Sequence, residues 1–453
     1  MRANRDGGGM TETAVDAGRL VVRTRPVPDR PVRTVLREAP LPRAVWAGPG
    51  EATVATAGAA AVLTASGPAR FRQIRSAARD LFATIDTETA EASLPDAIGP
   101  RLVGGGSFHP DHASMGPWTD YPAARFVLPE ILYARTTNGS YLLSMAYGPD
   151  AEPQAVEARL ESTTRRLERN DPTPTRTLPT VTAIDRPTTR SAWTDQVERA
   201  LSRIQNGTLR KVVLAQALHA ELTDRLDPVA VLERLSDRYP DCYRFSIEPT
   251  DETAFFGATP ERLVSLTGRE VRTEALAGSI GRGTSPDEDA TLEEALRDSG
   301  KDQHEHALVV EAIRDQLAPY AERIDTGEQG VRRLASVQHL HTPITADLAA
   351  DEHILSLVDA LHPTPAVGGL PPAEAQSTIR EIETFDRGWY AAPVGWFDAD
   401  GEGTFAVSLR SALTTDRRAT LFAGAGIVAD SAPDDEWDEV QLKYRPILDA
   451  LDA

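Results

Sequence analysis

The sequence predicts an α+β chain: a large antiparallel or mixed β-sheet core flanked by helices. Short apolar strands recur in adjacent runs, helical segments gather in groups between those runs, and 41% of the 453 residues are hydrophobic. Adjacent strands favour hairpin-linked sheets over a strict βαβ series, and this apolar content fills a sizeable core.

Residues 1–43 combine arginines, acids and prolines without an apolar signal core, and read as a partly flexible arm leading into the first strand. Ala52 to Ala65 is built of Ala, Thr and Val around Gly58, a sheet-and-turn pattern. Arg101 to Phe108, Ala124 to Pro129 and Tyr141 to Met145 read as further strands, the first rich in glycine. Between Asn170 and Arg190, Asp171-Pro172-Thr173-Pro174-Thr175 and Asp185-Arg186-Pro187 interrupt any period. This linker-like stretch divides a less marked part, 44–185, from a motif-rich part, 186–453. Trp193, Val197, Leu201 and Ile204 form one stripe of a helix over Ser191 to Asn206, with Gly207 as the stop. Lys211-Val212-Val213-Leu214 then reads as a buried strand. Further strands are expected at Tyr243 to Glu248, Ala254 to Gly257, Val264 to Leu266, Ala391 to Phe397, Phe405 to Leu413 and Thr420 to Val428. Helices are expected near 228–237, 303–316, 353–360 and 434–450.

Acidic residues outnumber basic ones by 68 to 48, and the net charge of −20 repels nucleic acid and anionic membrane surfaces. No uninterrupted apolar run reaches the roughly 18 residues that span a bilayer. Cys242 is the only cysteine, which excludes an internal disulfide and a multi-cysteine metal site; it suits a reducing, cytoplasmic setting and reads as a small buried hydrophobe. Abundant carboxylates with almost no lysine also suit a high-salt cytoplasm, so a halophilic protein is expected.

Among the 48 basic residues only Lys211, Lys301 and Lys443 are lysines. An ammonium can be tuned toward neutrality and a guanidinium cannot, so a retained lysine points to proton transfer.

Four constellations carry chemistry. In the last helix Glu436, Glu439 and Lys443 fall at i, i+3 and i+7, on one face. That face is either a solvated stripe with an i,i+4 Glu439–Lys443 pair or part of a site. Lys301-Asp302-Gln303-His304-Glu305-His306 precedes an apolar helical run and places Glu305 at its entrance, with Lys301 as its i,i+4 partner. Carboxylates from two helices, with oxygen ligands only, suit a hard ion such as Mg²⁺. His304, His306, His339 and His341 raise a rival zinc reading, but neither pair has the His-x₃-His helical spacing. Phe422-Ala423-Gly424-Ala425-Gly426-Ile427-Val428 reads as a glycine-rich turn after a strand, where bare backbone can approach an anion or simply pack closely. Arg410 and Tyr390 are candidates to hold a carboxylate. Glu261, after a strand and a proline turn, is either a capping carboxylate or the acid to a lysine base at Lys211.

Several motifs in one order carry a family resemblance. They are Lys211-Val-Val-Leu-Ala215, the Gly257-Ala-Thr-Pro-Glu-Arg-Leu263 turn, Ala275-Leu-Ala-Gly-Ser279, the Lys301 to His306 run, Leu361-His-Pro-Thr-Pro-Ala-Val-Gly-Gly369, Asp386-Arg-Gly-x-Tyr390 and Ala423-Gly-Ala-Gly-Ile-Val428. Together they resemble the chorismate-utilising enzymes over about residue 100 to the C-terminus. The resemblance implies a fold like that of anthranilate synthase component I, with 44–453 as the catalytic body, Mg²⁺ dependence, and chorismate as substrate. It implies Glu305 and Glu439 as metal ligands with Glu436 nearby. Tyr390, Arg410 and the Gly424 and Gly426 backbone would take the enolpyruvyl carboxylate, and Lys443, Ser279 and His339 would complete the substrate site.

Members of that family that deliver water carry a lysine where Lys211 stands, whereas members that deliver ammonia lack it. Ala277 occupies the place where some members carry a nucleophilic lysine. The implied chemistry is therefore addition of water at ring carbon 2 of chorismate with Lys211 as base, and loss of the 4-hydroxyl with Glu261 as acid, an isomerisation to isochorismate for menaquinone synthesis. Salicylate-forming members share these residues. A lysine base calls for a dry pocket with little direct carboxylate contact to Lys211. No glutamine amidotransferase subunit is expected, and the chain is expected to act as a monomer or weak dimer.

Overall fold

Strands such as Arg101–Gly106 and Gly403–Val407 are buried at every position, which requires cover on both faces. The computed structural model describes residues 18–85, 98–169, 178–335 and 337–451, and supplies that cover by building two sheets around one continuous apolar core. Among the described residues the first sheet has twelve strands and the second ten, and every ladder between strands is antiparallel. Helices flank both, as the α+β reading expects.

The first sheet runs in the order Arg19–Val27, Gly139–Gly148, Ile131–Thr136, Thr53–Ala57, Arg43–Ala47, Tyr243–Glu248, Thr253–Thr259, Ser411–Thr415, Arg418–Ile427, Lys211–Leu222 and Gly369–Leu370, with Val181–Asp185 also on Lys211–Leu222. The second runs Ala321–Thr326, Val337–Leu348, Glu270–Gly281, Arg262–Thr267, Gly403–Val407, Pro393–Asp398, Arg101–Gly106, Ala124–Leu128 and Ala61–Ala65, with Gly330–Arg333 also on Val337–Leu348. Strands from before residue 185 and after it share both sheets. Of the expected arm, residues 1–17 lie outside the described residues. Arg19–Val27 is a strand paired with Gly139–Gly148, because its Leu20 and Val21 are fully buried. Residues 170–177 of the expected linker also lie outside the described residues.

Several connections pass from one sheet to the other, and two of them position the site. Thr253–Thr259 continues through Pro260 and Glu261 into Arg262–Thr267. Gly403–Val407 continues through Ser408, Leu409 and Arg410 into Ser411–Thr415. The crossings are stitched together: the Val407 amide donates to the Glu261 carbonyl (3.1 Å) and the Ala258 amide to the Arg410 carbonyl (3.2 Å). The single strand expected over Phe405 to Leu413 is thus two strands in two sheets. Arg410 takes φ +46, a left-handed turn that a run of apolar residues does not announce.

The glycine-rich segment is not a turn. Gly424 and Gly426 lie inside Arg418–Ile427, opposite Ala215 and Val213. A Cβ at Gly424 would stand 2.8 Å from the Leu214 carbonyl oxygen, so glycine there permits close strand approach. Under this strand the aromatic rings of Trp118, Phe422 and Tyr390 stack, with centroids 5.6 and 5.2 Å apart. Cys242 is fully buried and free, as expected. No described helix is long and apolar enough to cross a membrane.

Candidate active site

One pocket is lined by Glu261, Ser279, Glu305, His339, Tyr390, Arg410, Gly424, Gly426, Glu439 and Lys443, ten of the twelve expected site residues. Lys211 and Glu436 stand just behind it. The pocket opens against the two crossings, with Leu276, Ala277, Ala366, Val367 and Phe422 as its apolar wall.

Lys211 begins the strand Lys211–Leu222 and is fully buried. Its Nζ lies 2.8 Å from Glu305 Oε1, so the expectation of little carboxylate contact is overturned. The cause is the neighbouring helix Gly300–Leu317, which carries Glu305 into the interior, where a carboxylate needs a counter-charge. Burial alone pushes Glu305 up, but the Lys211 ammonium, helped by Lys443 and Lys301, more than offsets it and leaves the carboxyl below its ordinary range. Gly426 makes room for the pair: a Cβ there would lie 2.6 Å from Glu305 Oε1 and 3.1 Å from Lys211 Cε.

Lys301 also departs from expectation. It reaches across to Glu436 on the helix Pro433–Leu451, with Nζ donating to Oε1 at 2.8 Å. Glu436 is 1% exposed, and burial and the charge of Glu439 push its carboxyl up against the opposing pull of Lys301. Lys443 pairs with Glu439 at 2.6 Å, as its i,i+4 spacing predicts, and donates to the Gly424 carbonyl at 2.9 Å.

Glu261 is 3% exposed at its crossing. Its carboxyl is pushed up to about 8, by burial first and by the charge of Glu274 second, against Lys211 and Lys443. At neutral pH it is protonated and able to donate. Arg410, at the other crossing, is buried; its Nη2 donates to His339 Nε2 at 2.8 Å, while its Nη1 has no partner among the described residues. A guanidinium only donates, so His339 accepts on Nε2 and carries its proton on Nδ1, 2.9 Å from the Ser279 hydroxyl. Burial, then the Arg410 and Lys443 charges, hold His339 neutral. The unpartnered Nη1 is a buried charged donor on a pocket-lining side chain with no protein acceptor bonded to it, as an anion site requires. Tyr390 is buried beside it, its ring packed on Phe422.

The implied Mg²⁺ meets a suitable donor set: Glu305, Glu439 and Glu436 offer carboxylate oxygens from two helices, and the mutual repulsion of Glu436 and Glu439 is what a divalent ion relieves. Among the described residues no three His, Cys, Asp or Glu side chains converge as a ready-made cage, and each carboxylate is balanced by a lysine. The zinc reading fails on geometry. His306 bonds Thr342 and the Ala277 carbonyl, His341 bonds Glu274, His339 bonds Arg410 and Ser279, and His304 is exposed.

Two supports went unrecognised in the sequence. Arg387 is fully buried, paired with Glu383 at 2.5 Å, and donates to the Val213 and Val367 carbonyls, which ties the Lys211–Leu222 strand to the pocket wall. Glu274 sits in the buried strand Glu270–Gly281. The signal that could have found it is a carboxylate directly before the small apolar run Ala275-Leu276-Ala277.

Comparison with known proteins finds relatives over most of the chain. The family described as chorismate binding enzyme matches residues 16–452. The salicylate biosynthesis isochorismate synthase of Pseudomonas aeruginosa is 42% identical over 371 residues, covering 80% of this chain and 77% of that protein. The isochorismate synthase MenF of Bacillus subtilis is 37% identical over 359 residues, covering 78% and 75%. The solved structure of the menaquinone-specific isochorismate synthase MenF of Escherichia coli superposes with a TM-score of 0.80 at 27% identity, covering 96% of this chain and 95% of that one.

Proposed function

This chain belongs to the chorismate binding enzyme family, and on that premise we propose that it is an isochorismate synthase, an isomerase that adds water at ring carbon 2 of chorismate and expels the 4-hydroxyl. The observation that carries the reading is one buried lysine and one protonated carboxyl at a single pocket: Lys211 behind Glu305, and Glu261 at the facing crossing. In this reading Lys211 first gives up its ammonium proton and, as the neutral amine, takes a proton from the attacking water; the ring double bonds shift, and Glu261 gives its proton to the departing hydroxyl. Water is consumed at one carbon and released at the other, so the net change is isomerisation.

Arg410 offers its unpartnered Nη1 to the enolpyruvyl carboxylate, with Tyr390 and the Gly424 and Gly426 backbone beside it. His339, Ser279 and Lys443 complete that wall. Glu305, Glu439 and Glu436 would hold Mg²⁺, which when bound supplies charge to anchor the ring carboxylate. Apolar walls of Leu276, Ala366 and Val367 limit the access of bulk water to the reacting ring.

The name of the menaquinone-specific Escherichia coli relative supports a menaquinone destination. The 42% identity to a protein named for salicylate biosynthesis supports a second destination for the same product. Incubation with chorismate and Mg²⁺, followed by chromatography and salicylate fluorescence, is the test. Isochorismate without salicylate or pyruvate is the expected result. Salicylate appearing with equimolar pyruvate, or binding without turnover, overturns the reading.

A further inference from the structure

We propose that Glu274 is the positioning residue for Glu261: together with Arg332 it clamps the turn that bears Glu261 at both ends, and its fixed negative charge keeps the proton on Glu261 until the departing oxygen takes it. The inference rests on the reading of Glu261 as the acid.

The clamp is geometric. Glu274 Oε1 accepts from the Arg262 amide at 2.9 Å, the residue after Glu261. The same oxygen accepts from Arg332 Nη1 at 2.9 Å, and that nitrogen also donates to the Pro260 carbonyl at 2.8 Å, the residue before Glu261. Glu274 Oε2 is 2.9 Å from His341 Nε2. One ion pair therefore holds both peptide flanks of the acid. Glu274, Arg332 and His341 come from three neighbouring strands of the second sheet, Glu270–Gly281, Gly330–Arg333 and Val337–Leu348, whereas Glu261 faces the pocket.

A plain structural carboxylate would not need to sit next to another buried acid. Burial pushes Glu274 up, but the His341 and Arg332 contacts and the Arg262 amide more than offset this and hold it at about 2, so it stays charged at any working pH. The groups facing Glu261 are then Glu274 from the second sheet, Lys211 from the first, Lys443 from the last helix, Arg410 from the other crossing, and the Tyr390 and Thr364 hydroxyls. Of these, Glu274 carries the negative charge and acts in the same direction as burial, whereas the other carboxylates of the pocket, Glu305 and Glu439, are paired with Lys211 and Lys443. Glu274 opposes the ionisation of Glu261 that the two lysine charges favour.

The test compares Glu274→Gln with the wild-type chain by infrared titration of the protonated carboxyl band that Glu261→Gln deletes, and by the pH profile of kcat. Glu274→Gln is expected to lower the band's midpoint from about 8 by about one pH unit or more, with the alkaline limb of kcat moving with it and KM little changed. A midpoint and an alkaline limb that both stay in place overturn the proposal. Full turnover in Glu261→Gln would instead sink the acid reading while leaving the band's dependence on Glu274 measurable. Should Glu274→Gln fail to fold, Glu274→Asp keeps the charge but shortens the reach to the Arg262 amide. An unmoved midpoint with reduced kcat is expected, and wild-type kcat overturns the clamp.

Discussion

Lys301 Nζ lies 2.8 Å from Glu436 Oε1 and so joins the first turns of two helices, Gly300–Leu317 and Pro433–Leu451, that are far apart in the chain. With Lys211 on Glu305 and Lys443 on Glu439, all three lysines of the sequence end on the three proposed metal carboxylates. Arginine in these places would present a wider, forked head to a single carboxylate oxygen. A compact ammonium neutralises the charge and leaves space.

This pairing predicts how the protein responds to metal. Lys301→Met leaves Glu436 buried without its cation, and the expected loss of stability in urea unfolding is about 1–3 kcal/mol. Because an ion bound only by the folded chain stabilises it, Mg²⁺ should raise the melting temperature of Lys301→Met more than that of the wild type. Equal shifts in the two proteins, or none, would refute the role given to Glu436.

At Lys211 two effects can be separated. Lys211→Met should cut kcat by a factor of about 10² or more through loss of the base, and lower stability by about 3–5 kcal/mol by stranding Glu305. The double variant Lys211→Met/Glu305→Gln should recover most of the stability and none of the turnover. Recovered turnover would exclude Lys211 as the base.

For the carboxylate anchor, Arg410→Gln removes a charge-assisted donor, and KM for chorismate should rise by about 10-fold to 100-fold. His339→Leu leaves the guanidinium in place without its acceptor, so a smaller rise is expected. Steady-state kinetics of both variants against the wild type checks the order.

Stability should also depend on pH through Glu261. Its carboxyl titrates at 4.5 as an ordinary group and at about 8 in the fold, so the folded chain holds the extra proton between those values. Folding is therefore destabilised progressively as pH rises from about 4.5 to about 8, with no further change from this group above that. Glu261→Gln should flatten that part of the profile in urea unfolding measured from pH 5 to 9. Glu274 works in the opposite sense, contributing stability above the ordinary carboxylate range that is lost as pH falls toward about 2.

The two strand glycines should fail differently. In Gly424→Ala the new Cβ meets a backbone oxygen at 2.8 Å, which costs about 1–3 kcal/mol of stability. In Gly426→Ala it meets Glu305 and Lys211 side chains, so turnover should fall further than melting temperature does. Parallel melting and kinetic measurements distinguish them.

Much of the site was legible in the sequence because its residues sit in short, chemically distinctive runs. The Glu436, Glu439 and Lys443 face follows from helical spacing alone, and the strand bearing Lys211 and the strand leading to Glu261 follow from runs of apolar residues. What escaped were the long-range relations. Spacing gives Lys301 only a local partner, and its true one lies 135 positions away. The break at Arg410 hides inside a run that is apolar on both sides, because the turn depends on where the second sheet ends. The glycines of Arg418–Ile427 mimic a turn although they are needed for close packing within a strand. The helices Arg70–Phe82, Pro153–Glu168, Pro286–Asp298 and Pro372–Ile382 were not expected; the first two lie in the part with few motifs, and the others have polar or Ala-rich exposed faces.

The stitched crossings have a mechanical consequence. Glu261 and Arg410 sit on two of the chain segments that pass between the sheets, and backbone hydrogen bonds tie each of these segments to the other. If the sheets slide against one another during thermal motion, both segments ride on the same seam. The distance from proton donor to carboxylate anchor is then conserved while the walls breathe, so the pocket can loosen to admit a substrate without losing the alignment of its reacting groups.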